Sequence, residues 1–383
     1  MSKEILVHGP MQASNQVFPD KRVPIYKIYI ERNFHKLADP LESLNLTERK
    51  VMIVTDSNVE MYHLSNVVST VKKYAQHVFS FIMKAGESQK HLDTVADIYE
   101  TMIQNNFERN DLLVALGGGV VGDITGFVAA TYLRGIRFLQ IPTSLLAMVD
   151  SSIGGKTGVD FRSFKNMVGA FHQPQAVYIN LSVLTTLPDR EFYSGFGEII
   201  KHGLIRNNSY IHFLQNNAIS AINRDMDVLE EIIYQSCLVK QAVVENDPTE
   251  KNERALLNFG HTIGHAIEKY MNFSLLHGEC VAIGMAAALY LNYTKGILDE
   301  TAFHESLALI EHYQLPICVD KKTVTLNANT SSELLSIIKH DKKMQAGQIR
   351  FILLKEPGCA YIDQTVTEEE MINAISFVME GSN

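Results

Sequence analysis

Cysteine is scarce and scattered: Cys237, Cys280, Cys318 and Cys359 are the four in 383 residues. No two of them form a CxxC pair, and free thiols in a reducing compartment fit this spacing better than a disulfide framework. A basic excess is missing too. With 34 Lys and Arg against 43 Asp and Glu, the formal net charge is −9, which argues against nucleic acid or an anionic membrane as the main partner. An anionic ligand must then be drawn in by a local basic pocket. No apolar run reaches transmembrane length, and Met1 to Pro10 lacks a basic-then-apolar signal pattern. The expected location is cytoplasmic. Internal repeats and low-complexity tracts are absent. What remains, 46% hydrophobic and 20% charged, is an ordinary globular composition long enough for two domains.

The first half reads as α/β. Lys50 to Thr55 is a short apolar run closed by Asp56 and Ser57, as a buried parallel strand would be. Val78 to Met83, Asp111 to Leu116, Phe138 to Ile141 and Ala176 to Ile179 repeat the pattern. Leu92 to Asn105 has helical spacing between strands. Strands separated by helices predict a doubly wound, Rossmann-like domain over 1–187, with 1–25 as a loose arm. Beyond Leu187-Pro188 helical periods dominate, from Asp189 to about Tyr293 and again over Ala302 to Tyr313 and Glu368 to Met379. A mainly helical domain over 188–383 is expected, with one lone strand at Gln348 to Leu354.

Two motifs carry chemistry. Gly117-Gly118-Gly119-Val120-Val121-Gly122-Asp123 follows a strand and opens a helix, where glycines let backbone N–H groups approach a pyrophosphate. It is not the standard GxGxxG, and a tight strand–helix turn would need glycine for its geometry alone. Downstream, His261 and His265 stand four apart on one helical face, His277 follows, and Glu198 lies upstream with Lys201 one turn on. Two imidazoles and a carboxylate suit a catalytic divalent ion. Spacing leaves open which three of Glu198, His202, His261, His265 and His277 would bind it; an HxxxH pair is equally the face of an ordinary helix. Lys156, Lys165, Asn166, Lys201, Lys240 and Arg254 are interleaved with these motifs and point to an anionic ligand, although Lys240 also fits an ordinary exposed helix position. Gly154-Gly155-Lys156-Thr157-Gly158 reads as a loop presenting one cation.

Six stretches together resemble the 3-dehydroquinate synthase family: GGGVVGDITGFVAATYLRG (117–135), IPTSLLAMVDSSIGGKTGVD (141–160), KNMVGAFHQP (165–174), LTTLPDREFYSGFGEIIKHG (184–203), LLNFGHTIGHAIE (256–268) and HGECVAIGM (277–285). They occur in family order. The resemblance implies an NAD-binding α/β domain followed by a mainly helical metal- and substrate-binding domain. It implies a lyase that converts 3-deoxy-D-arabino-heptulosonate 7-phosphate to 3-dehydroquinate plus phosphate. That step belongs to the shikimate pathway of aromatic amino acid biosynthesis, and the enzyme uses catalytic NAD and a divalent metal, Zn or Co. Carried over by position, Glu198, His261 and His277 would be metal ligands. NAD would meet Asp56, Asn58, Glu87, Lys90, Gly118, Gly119, Val120, Val121, Gly122, Asp123, Thr143, Ser144, Lys156, Lys165, Thr185 and Thr186. Asp150, Lys156, Asn166, Lys201, Lys240, Glu250, Arg254, Asn258 and His265 would hold the sugar phosphate substrate, with either Lys342 or Lys343 near its carboxylate. Arg134 would reach the phosphate of a second subunit, which implies a homodimer.

The resemblance also implies that NAD⁺ is regenerated in each turnover, that the substrate's own phosphate serves as base for its elimination, and that an aldol closure follows. His202 stands where tyrosine is frequent, and Thr143-Ser144 where two threonines are frequent. Two alternatives share the architecture. Sister cyclases (2-deoxy-scyllo-inosose, 2-epi-5-epi-valiolone and aminodehydroquinate synthases) differ in the substrate pocket, and the block at Lys156, Lys240 and Arg254 favours a carboxylated substrate over theirs. Metal-dependent glycerol or alcohol dehydrogenases have less use for so many cations.

Overall fold

A computed structural model describes residues 2–9, 23–162, 164–247, 253–321, 329–344 and 349–381, with side chains as far as His340 in the fifth stretch. The chain divides into two compact units, Met1–Pro188 with Leu229–Pro248, and Asp189–Val228 with Thr249–Asn383. A single cut near Leu187 would leave Leu229–Pro248 in the wrong unit. Helical period does not reveal which neighbour a helix packs on. Here Cys237 Sγ lies 3.5 Å from Met148 O, and Lys240 pairs with Asp150 one turn later.

The first unit is built on strands β1 (Lys3–His8), β2 (Pro24–Glu31), β3 (Lys50–Asp56), β4 (His77–Met83), β5 (Leu112–Gly117), β6 (Arg137–Pro142), β7 (Lys156–Phe161), β8 (Phe164–Phe171) and β9 (Ala176–Asn180). Seven of them form one sheet in the order β1-β2-β9-β6-β5-β3-β4. Only the β1–β2 pair is antiparallel; the other pairs are parallel. The central strands are apolar on both sides because both faces are covered. Met52, Val54, Leu113 and Ala115 enter one core, while Val51, Ile53, Leu112, Val114 and Leu116 enter the other. The chain leaves β3 for β4 at the edge, then returns to β5 and moves the opposite way. The switch between β3 and β5 is where doubly wound sheets bind ligands, at the carboxyl ends of the strands.

Two segments differ from the sequence reading. Part of the expected loose arm is strand: β1 pairs with β2 and buries Ile5 and Val7. Lys3 bonds Glu231, and Gln241 Nε2 donates to Leu6 O at 2.7 Å, so the helix Met226–Asn246 covers the edge. The Gly154–Gly158 block is likewise no plain loop, since Lys156 begins β7, which pairs antiparallel with β8. Gly158 and Gly169 face each other there; a Cβ on Gly169 would sit 2.4 Å from Thr157 O. The alternation that marks a hairpin is hidden behind those glycines.

The second unit is mainly helical. Its helix His277–Thr294 is apolar on every side and is packed by the helices Asp189–Arg206, His261–Tyr270, Glu300–His312 and Glu368–Glu380. The expected lone strand is a hairpin of β10 (Phe351–Glu356) with β11 (Cys359–Asp363). A strand with unpaired backbone would leave buried polar groups unsatisfied, and β11 supplies the partners. Among the described residues no helix is long and apolar enough to cross a membrane.

Candidate active site

In the second unit, three helices are brought together at glycines. A Cβ on Gly197 would lie 2.6 Å from Gly278 O, and one on Gly278 would lie 1.8 Å from Ser194 O. Gly260 has φ +80°, and a Cβ there would lie 2.7 Å from Val281 O. Only glycine permits such approaches of main chain to main chain. Each of these glycines adjoins a candidate ligand: Gly197 precedes Glu198, Gly260 precedes His261, and Gly278 follows His277.

The result is a tight polar cluster. Glu198, with 0% of its surface exposed, places Oε1 3.3 Å from His277 Nε2 and 3.5 Å from His261 Nε2. Its other oxygen takes the buried Lys201 ammonium. Burial opposes charge on Glu198, but Lys201 and the two histidines hold its carboxyl well below the usual range. Burial first and Lys201 second hold His261 well below the usual imidazole range, so its ring is neutral. His261 Nδ1 lies 3.2 Å from Phe259 O. Placing the proton there leaves the Nε2 lone pair free to face Glu198 and His277.

This donor set fits a divalent ion. Ligand bonds of about 2.0–2.1 Å around a tetrahedral Zn²⁺ imply ligand–ligand edges of about 3.3–3.4 Å, close to the two separations above. Glu198, His261 and His277 form a group whose ligand atoms lie within 4.8 Å of one another. A second such group, His265 with Glu268 and His277, shares His277 with the first. His265 is exposed, its ring 5.0 Å from that of His261. His202 is wholly buried one turn beyond Glu198. Arg254 is buried at the start of the turn Glu253–Asn258, and Asn258 at its end is exposed. Glu250 lies outside the described residues. Lys342 and Lys343 are in the helix Thr330–Met344 with their side chains outside them.

In the first unit, the loops after β3 and β5 flank the switch point. Gly118 caps the helix Gly119–Thr131 with no side-chain bond, leaving first-turn N–H groups for an anion. A Cβ on Gly118 would meet Ser144 Oγ at 3.4 Å, and one on Gly119 would meet Ser151 Oγ at 3.2 Å. Val120 is partly buried, Val121 is in the core, and Thr143 N donates to Gly117 O at 2.9 Å. Asp56 Oδ1 accepts from the backbone N–H groups of Asn58 and Val59 at 2.8 and 3.1 Å. It caps the next turn instead of standing loose.

A second knot of charge surrounds Lys90, which is buried. Its ammonium lies 2.7 Å from Asp123 Oδ2 and donates to Asn166 Oδ1 at 2.6 Å. Burial opposes the charge, yet Asp123 and Glu87 outweigh it and raise the Lys90 pKa. Lys165 pairs with Glu87 at 3.4 Å. Asn166 holds φ +55° and donates its backbone N–H to Asp160 Oδ1 at 2.8 Å. Lys240, read as a substrate-holding cation with an ordinary exposed helix position as the alternative, is buried against Asp150. Lys156 is exposed at the start of β7, and Arg134 is exposed in a left-handed turn with φ +67°.

Two supporting side chains escaped the sequence reading. His63 Nε2 lies 2.8 Å from Thr186 Oγ1, linking the segment after β3 to the turn after β9. The Thr185 and Thr186 hydroxyls donate to Ser182 O and Val183 O at 2.7 and 2.9 Å. Tyr26 Oη accepts from Gly154 N at 3.3 Å and steadies the approach to Lys156. A lone histidine in a helix or a tyrosine in a strand carries no local signal of either role.

Comparison with known proteins places the chain in a family. Residues 80–194 match the model of the 3-dehydroquinate synthase N-terminal part, and residues 195–344 that of its C-terminal part. A 3-dehydroquinate synthase of Acetivibrio thermocellus is 41% identical, with 91% of this chain and 95% of that protein covered. One of Synechocystis sp. is 42% identical, covering 87% and 91%. Among solved structures, a 2-epi-5-epi-valiolone synthase of Streptomyces hygroscopicus subsp. jinggangensis with NAD⁺ and Zn²⁺ bound is 26% identical. It superposes with a TM-score of 0.85 over 96% of this chain and 100% of that one. The chain belongs to the 3-dehydroquinate synthase family.

Proposed function

We propose that this chain is a lyase that converts 3-deoxy-D-arabino-heptulosonate 7-phosphate to 3-dehydroquinate and phosphate, with Glu198, His261 and His277 as its metal ligands. The observation that carries the site is the buried Glu198 carboxylate, which meets two imidazole nitrogens on one oxygen and an ammonium on the other. When bound, NAD supplies a reversible hydride acceptor and the divalent ion, Zn²⁺ or Co²⁺, supplies Lewis acidity. The protein does the rest by placement. Lys201 keeps Glu198 ionised, and His261 keeps its proton on Nδ1. Lys201, Arg254, Asn258 and His265 in the second unit, and Lys156, Asn166 and the Lys240–Asp150 pair in the first, each offer charges and donors suited to a carboxylate or a phosphate.

The uncapped N-terminus at Gly118–Gly119 takes the NAD pyrophosphate, and the Lys90–Asp123 pair braces that loop. The active form is a homodimer in which Arg134 serves the other subunit's substrate. Four free thiols suit a reducing cytoplasm.

The test supplies purified protein with the heptulosonate phosphate, trace NAD⁺ and Zn²⁺ or Co²⁺. Phosphate release in large excess over NAD⁺, stopped by a chelator and accompanied by dehydroquinate, is the expected result. Net NADH accumulation would instead mark a dehydrogenase. Turnover of a neutral sugar phosphate alone would mark a sister cyclase.

A further inference from the structure

His277 is delivered by the first residue of a helix, a position that frays unless something holds it. Here the holding groups come from one stripe of the helix Asp189–Arg206. Arg190, Ser194 and Glu198 stand at i, i+4 and i+8, and so line one face. Arg190 makes a fork onto Glu279: Nε to Oε1 and Nη2 to Oε2, both 2.7 Å. Its Nη2 also donates to Ser274 O at 3.1 Å. Glu279 Oε2 in turn accepts the Leu276 backbone N–H at 2.7 Å. Ser194 Oγ accepts the Gly278 N–H at 3.1 Å. Glu198 meets His277 Nε2 at 3.3 Å.

Every backbone or side-chain group that fixes residues 274–279 in this list answers to the stripe that ends in Glu198. One helix thus contributes a ligand and orients another. The neighbouring main chains cannot slide apart without breaking the fork, because Gly278 is seated directly on Ser194 O.

We infer that Arg190, through Glu279, and Ser194 are positioning residues for His277, and that their loss loosens the metal without removing a ligand. The inference rests on the ligand assignment proposed above. Groups that orient metal ligands in this way are worth about 10–100-fold in metal affinity or activity. Arg190 is the sharper probe, because lysine keeps its charge but lacks the two-pronged geometry.

The experiment loads the full-length enzyme with Zn²⁺ and follows its release to a colorimetric chelator. Wild type is compared with Arg190→Met, Arg190→Lys, Glu279→Gln and Ser194→Ala. Lys295→Met, which breaks the Lys295–Glu370 pair elsewhere in the same unit, is the control for general loosening. Release about 10–100-fold faster in Arg190→Met and Glu279→Gln is expected, with Arg190→Lys only partly restored and Lys295→Met close to wild type. Loading with Co²⁺ should show an altered visible spectrum in the same variants. Should Arg190→Met fail to fold, Arg190→Lys and Glu279→Gln read the same contact.

Wild-type release rates in those variants, or equally fast release from Lys295→Met, would overturn the inference. Failure of the wild-type protein to retain one Zn²⁺ per chain would instead sink the ligand assignment, so the two failures are distinguishable.

Discussion

Replacing Glu198 by glutamine is the most informative single change. The amide keeps the shape of the side chain but removes the charge facing Lys201, and both side chains are almost wholly buried, at 1% and 2% exposure. Removing one partner of a buried pair leaves an uncompensated ion and costs about 3–5 kcal/mol. For a unit of this size each kcal/mol moves the midpoint by about 2–4 °C, so chelator-treated Glu198→Gln should unfold roughly 6–20 °C earlier than chelator-treated wild type. Working without metal keeps the lost ligand out of the comparison. Adding Lys201→Met should recover much of the loss, because the stranded ammonium goes with it. Thermal unfolding followed by circular dichroism measures both, and metal analysis of the untreated proteins supplies the second readout. A Glu198→Gln protein that melts within about 2 °C of wild type and still retains one Zn²⁺ per chain would refute the account of this site.

Thiol reactivity should split by burial: Cys318 and Cys359, half-exposed, react with a thiol reagent in the native protein, whereas buried Cys280 and Cys237 wait for denaturant. Burial pushes the Cys237 thiol up to about 12, and rapid native reaction at all four would contradict the packing. Gly118→Ala should fold normally, since its Cβ meets nothing nearer than 3.4 Å, yet weaken NAD binding as measured by titration. Gly278→Ala should yield little folded protein or a metal-free one, because its Cβ would sit 1.8 Å from Ser194 O. If the two alanine variants behaved alike, the separation of loop and helix crossing would be wrong. Glu245 anchors β1 through His8, whose backbone N–H it accepts at 2.7 Å. Burial works against its charge, but bonds from Gln241 and His8 depress its pKa. Its contribution, about 1 kcal/mol, is therefore present above the ordinary carboxylate range and lost as pH falls through the depressed value. Urea titrations should show Glu245→Gln weaker than wild type at pH 7, with the gap narrowing as pH falls below the ordinary carboxylate range; a gap that stays constant down to full protonation of the carboxyl would contradict the linkage.

Much of the fold was legible because its strands are unusually plain. β3, β5, β6 and β9 are apolar on both faces, so each reads as a short run ended by turn residues, and glycine after β5 marks the loop at the switch point. Where the signal depended on a distant partner, reading failed. β1 buries only Ile5 and Val7, so it lacks the continuous buried run of the central strands, and β7 hides its pairing behind Gly154, Gly155 and Gly158. Lys240 looks like any lysine on a helix until Asp150 is opposite it. The same holds for 229–248, whose helical period is unbroken from its surroundings although it packs in the first unit.

At the candidate site, residue type and spacing singled out five side chains of suitable chemistry, of which the structure brings Glu198, His261 and His277 together. Convergence of Glu198, His261 and His277 is a property of three helices meeting, which no spacing along the chain encodes. The glycines beside those residues were the visible trace of that meeting. His63 and Tyr26 left no trace at all, because each acts through one hydrogen bond across more than a hundred residues.

The glycines at these two helix crossings, Gly197 with Gly278 and Gly260, have a bearing on how this centre could be altered. A site held by long side chains can be retuned by changing rotamers, one ligand at a time. This one is set by where main chains touch, so its dimensions are inherited from the helix contacts and resist piecemeal adjustment. Metal affinity in this protein should therefore serve as a gauge of helix docking. Substitutions well away from the ligands that spread those crossings by a few tenths of an ångström would register first as weaker metal retention, before any change in helix content.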